Sequence, residues 1–76
     1  MSIHIILFGR LSDIAGKSVF INDVADTDSL INALHKTYPA LAETKYAIAV
    51  NKEVITSNTL LKENSVVALL PPFSGG

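Results

Sequence analysis

The sequence predicts an α+β domain in which one main helix covers one face of a mixed sheet of four or five strands. Three observations predict it. Short runs of β-branched and apolar residues recur at positions 3–8, 18–22, 46–50 and 66–70. A single helical stretch, opened by a cluster of capping residues, separates the second run from the third. Finally, 49% of the 76 residues are apolar, which supplies one core but, at this length, only one domain.

The first strand is read at Ile3-His4-Ile5-Ile6-Leu7-Phe8, with Gly9 punctuating its end. Arg10 to Gly16 reads as a loop or a short helical turn closed by glycine. Ser18-Val19-Phe20-Ile21-Asn22 follows closely enough to form a hairpin with the first strand. Asp26-Thr27-Asp28-Ser29 is rich in helix-capping side chains. After it, Leu30, Ile31, Leu34 and Tyr38 fall on one helical face, and Pro39 stops the helix because the residue before proline avoids the α region. A polar connection leads to the strand Tyr46-Ala47-Ile48-Ala49-Val50 and the turn Asn51-Lys52-Glu53. Val54-Ile55 is at most a short strand, and Lys62-Glu63-Asn64-Ser65 is a turn in which Asn64 can take positive φ. Val66 to Leu70 is the last strand, and Pro71-Pro72 ends it. A hairpin, a crossing helix and further strands describe the β-grasp, the ubiquitin-like architecture, over residues 1–70 with a flexible tail at 71–76.

Alternation assigns the faces. Ile3, Ile5 and Leu7 share one side of the first strand, and His4, Ile6 and Phe8 the other; His4 marks the second side as the less buried. In the last strand Val67 and Leu69 face the helix while Val66, Ala68 and Leu70 face away. A side carrying Ile6, Phe8 and Leu70 is a contact patch unless loops cover it.

Composition excludes several function classes. Six basic against seven acidic residues give a net charge of -1, and the lysines are scattered, so neither nucleic acid nor an anionic membrane is the expected partner. With no cysteine there is no disulfide scaffold, thiolate metal site or cysteine nucleophile. The apolar run after His4 lacks a basic leader and is too short to span a bilayer; a cytoplasmic location is expected. His4 and His35 have no second ligand at useful spacing, so no metal is expected, and His35 is placed on the exposed helix face. Ser74 has no general base beside it and reads as a spacer. Asp23, Asp26 and Asp28 lack the rest of a calcium loop, and capping explains the last two. Arg10 reads as a solvated loop residue.

The chemistry is expected in the tail, Pro71-Pro72-Phe73-Ser74-Gly75-Gly76. Its base is stiffened by two prolines, which lowers the entropy lost when the segment is ordered, whereas glycines at the tip raise that loss. Flexible glycines there make sense where clearance outweighs entropy, as in a narrow channel admitting a terminal carboxylate. Such a carboxylate, with a pKa of about 3.5, is ionised at neutral pH and a poor electrophile. It needs activation, most simply as an acyl-adenylate made from ATP, before sulfur or an amine can attack its carbon. Nothing in the chain could catalyse either step, so an activating enzyme is an expected partner.

These residues carry a family resemblance. Val67 through Gly76, Leu7-Phe8-Gly9-Arg10-Leu11 with Gly16, the helix cap at Thr27, and Val50-Asn51-Lys52-Glu53 resemble the MoaD branch of the MoaD/ThiS ubiquitin-like sulfur carriers, small subunits of molybdopterin synthase. The resemblance covers essentially the whole chain and implies the same β-grasp. It implies that Gly76 is adenylated by a ubiquitin-activating-like adenylyltransferase and converted to a thiocarboxylate, a sulfur donor protein acting indirectly. The tail, Pro71 to Gly76, then inserts into the large catalytic subunit of a heterotetrameric synthase and gives sulfur to cyclic pyranopterin monophosphate (precursor Z), forming the molybdopterin dithiolene. The carrier is the non-catalytic subunit, binds no cofactor by itself, and meets its partner through a patch mapping to Phe8, Val54 and Leu70. Three positions depart from the family pattern: Ser12 where a second basic residue is frequent, Glu63-Asn64-Ser65 in place of an Asp-Gly turn, and Phe73 in place of a smaller residue. Sulfur carriage for another product, such as thiazole, a ubiquitin-like modifier joined through Gly76 to lysine, and an adaptor acting through its open face are the alternatives.

Overall fold

The computed structural model describes residues 2–71. Five strands and one main helix form the fold, in the order β1 (Ser2–Leu7), α1 (Leu11–Ala15), β2 (Ser18–Asn22), α2 (Thr27–Thr37), a 3-10 turn (Pro39–Glu43), β3 (Ala47–Val50), β4 (Glu53–Ile55) and β5 (Val66–Leu70). The sheet order is β2-β1-β5-β3-β4. β1 and β5 run parallel at the centre, and the other neighbouring pairs are antiparallel. This is the expected β-grasp, with five strands.

Alternation along the two central strands decides the core. Ile3, Ile5, Val67 and Leu69 have no exposed surface, and Leu7 has almost none. Against them α2 sets Leu30 and Leu34, and α1 sets Leu11, all fully buried. Burying a leucine or isoleucine side chain contributes about 1.5–3 kcal/mol each, so these paired faces hold the domain together.

Local chemistry places the elements. Asp26 caps α2, its carboxylate accepting from the Ser29 amide at 2.9 Å. Thr27, matched to the family's helix cap, is instead the first helical residue. Its hydroxyl donates to Asn58 Oδ1 and accepts from the Thr59 amide at 2.9 Å, tying the start of α2 to the segment before β5. The β3–β4 turn has positive φ at both Asn51 (48°) and Lys52 (73°), the twist a two-residue hairpin needs. Asn51 also bonds across to β5: its amide donates to the Val66 carbonyl, and its Oδ1 accepts from the Val66 amide. Asn64 takes φ 71°, as its turn required.

Further details differ from the sequence reading, among them the start of β3 at Ala47 rather than Tyr46. The connection after α2 is not simply polar: Pro39–Glu43 forms a 3-10 turn that buries Leu41 completely. Strand β1 ends at Leu7, although the Phe8 amide still donates to the Leu69 carbonyl at 3.1 Å. His35 is half-buried rather than exposed, because its Nε2 lies 2.7 Å from the Tyr46 hydroxyl; burial raises the pKa of that phenol.

Candidate functional site

The helix-covered side of the sheet is closed by the core, so chemistry reaches the molecule from the other side. Register lays out that side in rows. Ile6 pairs with Ala68, Ala68 with Ala49 and Ala49 with Val54, and paired residues point the same way. Leu70 pairs with Ala47 one row further, towards the end of β5. In the other direction His4 lies between Phe20 and Val66, its ring stacked on Phe20 with centroids 4.5 Å apart.

By that register Val54 and Leu70 share one face, and Phe8 lines it with Ile6 and Ala68. Phe8 is 46% exposed and Val54 64% exposed, so no loop covers them. Leu70 is half-buried. Ile6, Phe8, Val66 and Ala68, with Asn51 and Lys52 at the rim, line a shallow apolar depression of about 410 Å³. Lys52 is the one charged side chain among those lining residues. An uncovered apolar hollow of this kind is how a docking surface differs from scattered exposed side chains.

The second part of the site is where β5 lets the chain go. Pro71 is half-buried and packs its ring against the backbone of Gly9. The remaining predicted tail residues, Pro72, Phe73, Ser74, Gly75 and Gly76, lie outside the described residues. Gly9, Asn51, Lys52 and the His4–Phe20 stack were not singled out as site residues by the sequence reading. Gly9 left a signal there as a glycine directly after a strand, and Asn51-Lys52 as a turn within a stretch that resembles the family.

Elsewhere the described residues offer little chemistry. No group of three or more His, Cys, Asp or Glu side chains among them is placed to hold a metal ion. No helix among them is long and apolar enough to cross a membrane. A smaller hollow lies between the start of α2, β3 and the segment Ile55 to Asn58.

A family model described as the ThiS family matches residues 5–76, nearly the whole chain. The chain belongs to the ThiS family. Within that setting it is 36% identical to the molybdopterin synthase sulfur carrier subunit of Dictyostelium discoideum, covering 95% of this chain and 93% of that one. Among solved structures it is similar to the complex of subunits 1 and 2 of the molybdopterin-converting factor from Helicobacter pylori, at 34% identity with full coverage of both chains and a TM-score of 0.75. The small archaeal modifier protein 1 from Methanosarcina acetivorans shares the fold, with a TM-score of 0.83 at 23% identity over 99% of this chain and 96% of that one. The ThiS-family match runs to Gly76.

Proposed function

We propose that this ThiS-family chain is the sulfur carrier of a molybdopterin synthase, and that its reacting group is the terminal carboxyl of Gly76. The observation that carries the reading is the pairing of an uncovered apolar face with a tail that leaves the sheet at its centre. β5, flanked by β1 and β3, delivers Pro71 against Gly9, the residue that follows Phe8, so a partner seated on the face is placed to receive the tail. The 36% identity to a sulfur carrier subunit over nearly the full chain supports the same reading.

The chemistry runs in three steps. The Gly76 carboxylate attacks the α-phosphorus of ATP within an activating adenylyltransferase, forming an acyl-adenylate as pyrophosphate leaves. A hydrosulfide equivalent, supplied through a sulfur donor protein, attacks the glycyl carbon; AMP leaves and a thiocarboxylate remains. The loaded tail enters the large subunit and hands its sulfur to the pterin precursor, and water returns the terminus to a carboxylate. This chain contributes the reacting carbon, the stiff tail base and the docking face; the partners contribute the catalytic side chains and the nucleotide.

Intact mass after incubation with the activating enzyme, ATP and a sulfur source tests the proposal. Replacement of one oxygen by sulfur is expected. Conjugates of higher mass on lysines would instead establish a protein modifier, and an unchanged mass would leave only the docking face. Complementation of a strain lacking the gene, read as molybdoenzyme activity, separates molybdopterin from other sulfur-accepting pathways.

A further inference from the structure

We infer that Gly9 is a positioning residue for the tail: its bare α-carbon is the seat on which Pro71 rests, and so it sets the direction in which the tail leaves the sheet. The inference builds on the sulfur-carrier reading above. A β-carbon placed on Gly9 would lie 2.7 Å from Pro71 Cγ, well inside van der Waals contact, with Pro71 Cδ and Cβ next nearest. Pro71 would have to move.

The seat is fixed from both sides. Just before it, the Phe8 amide donates to the Leu69 carbonyl, the last rung joining β1 to β5. Just after it, the Gly9 carbonyl accepts two bonds from Ser12, one from its hydroxyl at 2.7 Å and one from its amide at 3.1 Å. Ser12, where the family pattern more often has a basic residue, thus anchors the peptide beneath the tail base. Proline at 71 offers no amide to extend the ladder, and its contact with Gly9 is made by the ring.

Gly16 provides an internal comparison. Both glycines have positive φ, 58° at Gly9 and 91° at Gly16, so alanine strains the backbone at either. At Gly16, however, an added β-carbon meets nothing within 4 Å. Backbone strain and tail steering can therefore be separated by comparing the two sites.

The test measures the rate of thiocarboxylate formation by the activating enzyme, read by intact mass, for the full chain and for Gly9→Ala, Gly16→Ala, Pro71→Ala and the Gly9→Ala/Pro71→Ala pair. Each is assayed below its melting temperature. Because misplacing a reacting group by about 1 Å costs up to about a hundredfold in rate, Gly9→Ala is expected to load at least about tenfold more slowly. Gly16→Ala should match the unsubstituted chain despite its own loss of stability. The double variant should return to the rate of Pro71→Ala, since the atom that collides with the new methyl is gone.

A Gly9→Ala rate equal to that of the unsubstituted chain, or a double variant as slow as Gly9→Ala, overturns the inference. If the unsubstituted chain gains no sulfur at all, the sulfur-carrier reading fails instead. The seat is then judged by NMR: a nuclear Overhauser contact between Gly9 Hα and Pro71 Hγ is expected, and its absence overturns the inference independently.

Discussion

Thr27 sits at the first turn of α2 and is almost fully buried, donating to Asn58 Oδ1 while accepting from the Thr59 amide. Valine has nearly its shape but neither bond, so Thr27→Val leaves the Thr59 amide without its acceptor. A loss of about 1–3 kcal/mol is expected from urea denaturation. Asp26, its neighbour, is set by charge. Amide and hydroxyl bonds from Ser29, and a further bond from Asn58, hold its carboxyl below the usual value. A depressed carboxyl contributes stability that is present above its unfolded pKa and lost as pH falls through the folded one. Acidification from neutral pH should therefore lower the urea midpoint of the native chain more steeply than that of Asp26→Asn, whose side chain still caps the helix but does not titrate. Equal acid slopes would show that Asp26 is not the group responsible. The capping role of Asp26 was legible from a local cluster of capping residues. The bonds from Asn58 were not, because that partner lies 31 residues from Thr27 and no local pattern announces it.

At the scale of elements, the two sheet faces have opposite demands. On the covered face Leu34 of α2 is completely buried, and Leu34→Ala should cost about 2–5 kcal/mol. A domain of this size is stable by only about 4–11 kcal/mol, so the substitution removes a large share of that and should be plain in a thermal melt. On the open face Val54→Lys touches an edge strand and an exposed side chain, so stability should change by no more than about 0.5 kcal/mol. Its effect belongs to docking: affinity for the large subunit, measured by calorimetry, should fall at least about tenfold, or about 1.4 kcal/mol. Unchanged affinity would remove Val54 from the interface. The division into faces was readable from period-two alternation in β1 and β5, down to the outward placing of Val66, Ala68 and Leu70. The 3-10 turn at Pro39–Glu43 was not, since five residues are too few to show a helical period and its buried Leu41 stands alone. His35 was misplaced for a related reason: the Tyr46 hydroxyl that draws it in comes from the segment leading into β3, across the fold.

For the molecule as a whole, the architecture separates folding from chemistry. The core lies between the sheet and its helices, the open apolar face lies on the far side, and the proposed reacting terminus follows Pro71 in the chain. Sheet order could not be read along the chain, because the central β1–β5 pairing joins its two ends, yet that pairing is what brings Pro71 against Gly9. The residues that carry the proposed chemistry were legible for the opposite reason: a proline-stopped strand followed by glycines is a pattern local to ten residues. The central claim is that the reacting group is the main-chain carboxyl at Gly76, and it is tested most directly by adding one alanine after Gly76. Intact mass after treatment with the activating enzyme, ATP and a sulfur source should show oxygen replaced by sulfur in the native chain and no change in the extended one, with equal melting temperatures for both. An extended chain that acquires sulfur as readily as the native one would contradict the account.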